Sequence, residues 1–139
     1  PTRRSSDLMV LGAEGVQIGT RFALTEESSA SSVFKDYCLS LREGDTKLLL
    51  KKLAPTRLVK NAFREAVEKA EDSGASAEDL RTLLGRGRAK KGIFEGDLEE
   101  GELEIGQVSA IISRRQSVAE VMNELVAAYQ RAAKKDYLF

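Results

Sequence analysis

The chain has 139 residues with 22 basic and 22 acidic side chains, so its zero net charge gives no electrostatic argument for a nucleic-acid or anionic-membrane partner. It contains no histidine and one cysteine, Cys38, which excludes imidazole chemistry and an internal disulfide within the chain. No apolar run in the sequence approaches the roughly 20 residues that a membrane-spanning helix needs. These features predict one cytoplasmic domain.

Residues 1–8 read Pro-Thr-Arg-Arg-Ser-Ser-Asp-Leu, which is the in-frame translation of a common short-read sequencing adapter. We therefore expect this stretch to be an artefact that packs against nothing, with authentic sequence beginning near Met9. Deleting the stretch should leave the thermal stability unchanged, and a large loss of stability would show that it belongs to the fold.

The segment Gly15–Phe22 carries the main functional signal. A helix turn is predicted to end at Gly12, and the short apolar run Gly15–Ile18 predicts one buried strand. After this strand, Gly19 leaves the backbone unshielded and Thr20 adds a hydroxyl donor. Consecutive backbone N–H groups with a hydroxyl are typical of a phosphate site, and a ligand-free turn from strand to loop is the alternative.

The remaining segments are predicted mostly as helices, each from an apolar stripe at three- and four-residue spacing or from a capping signal. Cys38 lies on the first of them and is interpreted as a packed thiol. In chain order we first predict a helix over Ala30–Leu41 capped by Ser28 or Ser29, and then an extended segment Thr46–Leu53. The next helix is predicted to begin at Pro55-Thr56 and to be buried along Leu58, Ala62, Phe63 and Ala66, and a short helix should run from the capping box Ser76–Asp79 to Leu84. A final helix is predicted after Ser117, with one face formed by Val118, Val121, Met122, Leu125, Val126 and Tyr129.

Three other features could bind a ligand. The basic cluster Gly85–Gly92 could hold a phosphate and the acidic run Glu95–Glu104 a cation, but we interpret both as surface charge, since the acidic run lacks the spacing of a calcium loop. The pair Gly106-Gln107 could place a backbone group and an amide near a ligand, or could simply begin a helix.

Several stretches together resemble one enzyme family, the FMN-dependent nitronate monooxygenases (2-nitropropane dioxygenases), which includes the flavin-dependent enoyl-acyl-carrier-protein reductases. The stretches that carry the resemblance are LGAEGVQIGTRF, EESSAS-x-x-FK, PTRLVKNAF and GIFEGDLEEGELEIGQVSAII. The resemblance extends from Met9 to the final helix, and its most specific part is the segment around VQIGTRF.

The resemblance implies a parent protein of the α/β class with a (β/α)8 TIM barrel, in which FMN binds at the C-terminal face. Residues 9–28 would supply the last helix turn, last strand and phosphate loop of the barrel, and residues 29–139 a C-terminal helical region of the same domain, so this fragment would be mostly helical. The cofactor-binding residues implied are Gln17, Ile18, Gly19 and Thr20. No catalytic residue and no metal ligand can be carried over to this chain.

Two reactions follow from the resemblance and stay open at this point. The parent protein would oxidise alkyl nitronates with oxygen, or it would reduce an enoyl thioester with NAD(P)H; a homodimer is compatible with either, and the fragment alone is expected to be inactive. A helical interaction module without catalysis is the rival from another class. Gly15–Phe22 argues against that rival, because a helical module has no use for a buried strand ending in Gly-Thr.

Overall fold

The computed structural model describes residues 11–133, and these form a helical structure with one small antiparallel sheet. A π-helical turn covers Lys90–Phe94 and a 3-10 helix covers Gln107–Ile111. The other elements are α1 (Thr20–Ala23), α2 (Ser32–Leu39), β1 (Thr46–Leu49), β2 (Thr56–Val59), α3 (Ala62–Asp72), α4 (Ala77–Leu84) and α5 (Val118–Ala133). The mostly helical content agrees with the expected fragment, while the described residues do not by themselves form a barrel.

Buried apolar side chains form two clusters. The Phe34 core takes residues from α2, β2 and the 103–112 segment, and the Phe63 core takes residues from both strands, α3 and α4. Principal members of the Phe34 core are Leu24, Phe34, Cys38, Val59, Leu103, Ile105 and Ile112. Those of the Phe63 core are Leu49, Leu50, Leu58, Phe63, Val67 and Leu80.

The prediction of a helix beginning at Pro55-Thr56 is wrong, because Thr56–Val59 is strand β2. It pairs with β1 in a register that sets Thr46 opposite Val59. Leu58 and Val59 are both buried, but Leu58 belongs to the Phe63 core and Val59 to the Phe34 core. Successive side chains of a strand point to opposite faces, so only an extended backbone can place these neighbours in two separate cores.

Helix α3 begins later than predicted, after Asn61, whose side chain accepts a hydrogen bond from the backbone N–H of Arg64. Phe63 is buried as expected, together with Val67. The predicted burial of Ala62 and Ala66 is wrong, and both are exposed.

Helix α2 is shorter than the predicted Ala30–Leu41 and is capped by Ser31 rather than by Ser28 or Ser29. The Ser31 side chain accepts the backbone N–H of Phe34 at 3.2 Å. Cys38 on this helix is fully buried, and burial raises the pKa of its thiol to about 12. The interpretation of Cys38 as a packed thiol is confirmed, since a thiol held protonated is a poor nucleophile.

The predicted extended segment Thr46–Leu53 is extended only as far as Leu49. Leu50 adopts a φ of 56°, a conformation that costs free energy for any residue but glycine. Its side chain is almost completely buried in the Phe63 core, which offsets that cost. A turn over residues 51–53 then reverses the chain into β2.

The two capping predictions further along the chain are confirmed. Ser76 and Asp79 form a capping box at the start of α4. At the start of α5 the Ser117 hydroxyl accepts the N–H of Glu120, and the Glu120 carboxylate accepts the N–H of Ser117. On the predicted apolar face of α5, Val121 is buried and Leu125 half-buried, whereas the other members, Val118, Met122, Val126 and Tyr129, are exposed.

The prediction of a buried strand over Gly15–Ile18 is not met. Residues 13–19 form neither helix nor strand, and Val16 is 53% exposed. A strand must satisfy its backbone groups on neighbouring strands, and none of the described strands lies beside this segment. Gly12 has a φ of 94°, which suits a helix C-cap, but the preceding helix turn lies outside the described residues. None of the described helices is long and apolar enough to cross a bilayer.

Candidate functional site

The four residues implied as cofactor-binding lie at the entry to α1, on the surface of the described structure. Gln17 and Gly19 are exposed, and Ile18 and Thr20 are half-buried. Gly19 precedes α1, and a Cβ added to it would meet nothing within 4 Å. This side of the backbone is therefore open to a ligand without any movement of the described residues.

Thr20 is held by a residue 86 positions further along the chain. Its Oγ1 accepts a hydrogen bond from the backbone N–H of Gly106 at 3.1 Å. Gly106 lies just before the 3-10 helix Gln107–Ile111, and that helix contacts α1. Of the two interpretations of Gly106-Gln107, the structure shows a helix start at which a backbone group contacts the predicted phosphate loop.

Arg21, the next residue of α1, is held by the C-terminal part of the chain. Its guanidinium donates hydrogen bonds to the side chain of Gln116 and, at 2.9 Å, to Glu124 of α5. Gln116 is buried and its amide also donates to Glu124. The hydrogen bond from Gln116, followed by that from Arg21, lowers the pKa of the Glu124 carboxyl. Arg21 thus has a carboxylate partner and is not a free cation for a phosphate.

The donors around Gly19 and Thr20 fit a phosphate chemically. Backbone N–H groups in the first turn of a helix have no partner within that helix. Among the described residues, those of Gly19 and Thr20 donate to no backbone carbonyl. The Thr20 hydroxyl accepts from Gly106, and a hydroxyl that accepts one bond can still donate its own proton. The open side of Gly19 and these donors suit an anion such as a phosphate.

The basic cluster carries its charge mostly in ion pairs, as interpreted from the sequence. Arg88 pairs with Glu100 at 3.2 Å and also lies over the ring of Phe63 at 4.6 Å from the centroid. Lys91 pairs with Asp97 at 2.8 Å, and this bond, together with hydrogen bonds from the backbone N–H groups of Glu100 and Glu99, lowers the pKa of Asp97 to about 2. A cleft of about 260 Å³ lies beside these cations, lined by Leu84, Gly85, Arg86, Gly87, Arg88, Lys91 and Glu100.

One member of the acidic run departs from the interpretation as surface charge. Glu102 is only 8% exposed, and burial, with a contribution from Glu104, raises the pKa of its carboxyl to about 7. Within residues 11–133, no group of three or more His, Cys, Asp and Glu side chains is arranged to hold a metal ion. Because it is buried and its pKa is raised, Glu102 differs from the exposed carboxylates of the acidic run and can titrate near neutral pH.

Comparison with known proteins gives the class of the chain. A family model for nitronate monooxygenase matches residues 5–128. A probable nitronate monooxygenase of Bacillus subtilis (strain 168) is 31% identical over 118 residues, which are 84% of this chain and 34% of that protein. A probable nitronate monooxygenase of Staphylococcus aureus (strain JH9) is 41% identical over 66 residues, or 45% of this chain and 18% of that protein.

A comparison with solved structures also finds a similar protein. The structure of FabK from Thermotoga maritima superposes with a TM-score of 0.81 at 26% identity, covering 93% of this chain and 41% of that chain. The family model and the curated relatives thus agree on one protein family. The chain belongs to the nitronate monooxygenase family and spans about a third of the length of its Bacillus relative.

Sequence reasoning identified the loop but missed what holds it. Gly106 was singled out only as a residue able to approach a ligand, and Gln116 was not singled out at all. The signal available was the glycine at position 106, within a run that is otherwise apolar and buried at Leu103 and Ile105. A glycine in such a run indicates close approach by another group, and that group is the Thr20 hydroxyl.

Proposed function

We propose that the whole protein is an FMN-dependent oxidoreductase that oxidises alkyl nitronates with oxygen, and that this chain supplies part of its FMN phosphate site. The observation that carries the proposal is the loop at Gly19 and Thr20, where the glycine has open space beside it and two backbone N–H groups bond to no carbonyl within residues 11–133. Membership of the nitronate monooxygenase family supports the reaction and favours an enzyme over a helical interaction module.

The residues of this chain would bind the cofactor rather than catalyse. Backbone N–H groups at Gly19 and Thr20, and the Thr20 hydroxyl, would hold the phosphate, while Gln17 and Ile18 would line the approach to it. When bound, FMN supplies the electron transfer of the reaction. Since the chain contains no histidine, it contributes no imidazole base to that reaction. We propose no nucleic-acid or membrane partner for it.

The proposal is tested by titrating FMN against the whole protein and following flavin fluorescence. Thr20→Val keeps the shape of the side chain but removes a donor to a charged group, so it should cost about 1.5–3 kcal/mol of FMN affinity. Gly19→Val should weaken binding further, because its side chain would occupy the open space that a phosphate needs.

Gly19→Val discriminates well because the described residues leave room for its side chain. A loss of FMN affinity without a loss of thermal stability therefore points to the ligand, and unchanged FMN affinity would contradict the proposal. The isolated 139-residue chain should bind FMN negligibly, since it carries only one edge of the site, and tight binding by it would also contradict the proposal.

The reaction itself is tested by two assays on the whole protein. Oxygen consumption with an alkyl nitronate should be rapid and independent of NAD(P)H. If the protein instead oxidises NAD(P)H in the presence of an enoyl thioester and leaves the nitronate untouched, the reductase reaction replaces the proposed one.

A further inference from the structure

Gly106 and Thr20 are joined by a hydrogen bond and are also so close that a side chain at position 106 would clash with Thr20. Gly106 has φ −70° and ψ 152°, a conformation open to any residue, so the backbone does not require glycine there. A Cβ at position 106 would, however, lie 2.5 Å from Thr20 Oγ1 and 3.7 Å from Thr20 Cβ. The Thr20 hydroxyl can therefore keep its position only while residue 106 has no side chain.

The position of the Gly106 N–H is fixed by packing on both sides. Before it, Ile105 is buried and donates its backbone N–H to Arg57 of β2 at 3.3 Å. After it, the backbone carbonyl of Gly106 accepts the N–H of Ser109 at 3.0 Å, and Ser109 is buried. The donor that holds Thr20 is thus attached to the sheet and to the Phe34 core.

The direction of the Thr20 hydroxyl follows from this attachment. Accepting the Gly106 N–H fixes where Oγ1 points, which leaves the hydroxyl proton and the N–H groups of the first turn of α1 for another acceptor. Donors that are already oriented lose less rotamer freedom on binding, so a ligand gains affinity from their preorganisation.

We propose that Gly106 is a positioning residue of the FMN phosphate site, which holds the Thr20 hydroxyl in its binding orientation through the backbone N–H and through the lack of a side chain. The inference depends on the proposed function, in which Gly19 and Thr20 bind the phosphate. It assigns a binding role to Gly106, which lies 86 residues from Thr20 along the chain.

The test is a double-variant cycle on FMN affinity in the whole protein. Gly106→Ala should displace Oγ1 and raise the FMN dissociation constant about tenfold, which is the range of one hydrogen bond to a charged group. Thr20→Ala should raise it by at least as much. In the double variant the clash is gone together with the hydroxyl, so the dissociation constant should equal that of Thr20→Ala alone. Val108→Ala, an exposed change in the same segment, should stay within twofold of the wild type.

A measurement on the flavin-free protein tests the role of Gly106 separately from the proposed FMN site. Hydrogen exchange at the residue-106 amide should be slow in the wild-type apoprotein and faster in Thr20→Ala, because its acceptor is removed. If Gly106→Ala binds FMN as tightly as the wild type while Thr20→Ala binds weakly, the positioning role is refuted and the phosphate site stands. If Thr20→Ala binds FMN normally, the phosphate site itself is refuted.

The cycle remains decisive if Gly106→Ala fails to fold. Recovery of folding in the double variant Thr20→Ala/Gly106→Ala would support the steric coupling, since the hydroxyl is the group that a Cβ at position 106 meets first. Failure of the double variant to recover folding, or a loss of FMN affinity in the double variant equal to the sum of the losses in the two single variants, would overturn the proposal.

Discussion

Residues 11–19 are loosely surrounded, whereas some residues of the same types in the packed region, residues 24–121, are enclosed by other atoms. Val16 in the first segment is 53% exposed, whereas Val67 in α3 is completely buried. Gly15 would accept a Cβ without meeting any atom within 4 Å, whereas a Cβ at Gly101 would lie 2.2 Å from the Cα of Gly92. The same residue types are thus unconstrained in one region and fully constrained in the other.

The contrast shows that an apolar β-branched run does not make a strand unless partners are available to it. Thr56–Val59 has partners, β1 on one edge and a bridge from Leu58 to Glu104 on the other, and it is a strand. Gly15–Ile18 has none among the described strands and stays irregular. Directly after the first segment, Thr20 and Arg21 bond to Gly106 and Glu124 of the packed region, and these contacts position the end of the predicted phosphate loop.

The largest expected effect comes from the centre of the packed region. Phe63→Ala should lower the free energy of unfolding by about 3–5 kcal/mol, because it opens a cavity in the Phe63 core and removes the ring beneath Arg88. Phe94→Ala, at a half-exposed phenylalanine, is the matched control and should cost less than about 1 kcal/mol. Denaturant unfolding of the whole protein measures both, and equal costs would remove the distinction between core and surface.

Two glycine substitutions compare the regions directly. Gly101→Ala should cost about 3 kcal/mol, since its Cβ would meet backbone atoms of Gly92 and the carbonyl of Asp97 at 2.4 Å. Gly15→Ala should change the free energy of unfolding by less than about 0.5 kcal/mol. Thermal and denaturant unfolding of the two variants tests the pair, and a costly Gly15→Ala would show that residues 11–19 are packed after all.

The buried carboxyl of Glu102 predicts a pH dependence that belongs to the packed region. Its pKa in the folded state is about 7, above the ordinary value of 4.5, so between those values the folded protein binds more protons than the unfolded chain. The free energy of unfolding should therefore fall by about 3 kcal/mol as the pH rises across this window. Asp97, with a pKa held at about 2, acts only at lower pH.

Glu102→Gln removes the titration and should flatten that part of the stability profile. The charged neighbours of Glu102 are Glu104, which raises its pKa, and Arg88, which lowers it. Both neighbours are kept in Glu102→Gln, so the variant removes only the Glu102 titration. Glu99→Gln, at an exposed position in the same run, is the control and should keep the slope. An unchanged slope in Glu102→Gln would assign the pH dependence to another group.

The smallest expected effect is at Val16. Val16→Ala should lie within about 0.5 kcal/mol of the wild type, whereas Val67→Ala should cost about 2 kcal/mol, because the same two methyl groups leave a fully buried site. Denaturant midpoints of the two variants give the comparison. Similar costs would mean that the two segments are packed alike.

Features that depend on residues close together in the chain were predictable. The capping box of Ser76 and Asp79 and the cap at Ser117 follow from the geometry of a single helix turn, and both are confirmed. The family was also recognisable, because the segment around Gln17–Thr20 combines several specific residues in order, and the family match confirms it. The role of those four residues in binding FMN stays a prediction.

Features that depend on distant partners were not predictable from spacing. Val59, Phe63 and Val67 are each four residues apart, as on one face of a helix, and only the pairing of Thr56–Val59 with β1 divides them between a strand and a helix. Ser31 displaced Ser28 and Ser29 as the cap of α2 because the helix is positioned by the burial of Phe34 and Cys38.

The sequence by itself determined the family, the caps at Ser76 and Ser117, the packed thiol at Cys38 and the position of the glycine and threonine that we propose bind a phosphate. The tertiary structure alone decided which side chain is held by which. Thr20 accepts a hydrogen bond from Gly106, and Arg21 donates hydrogen bonds to Gln116 and Glu124. Glu102 is buried beside Glu104. These contacts join segments many residues apart, and their geometry follows from the packing of the whole chain rather than from any short window of it.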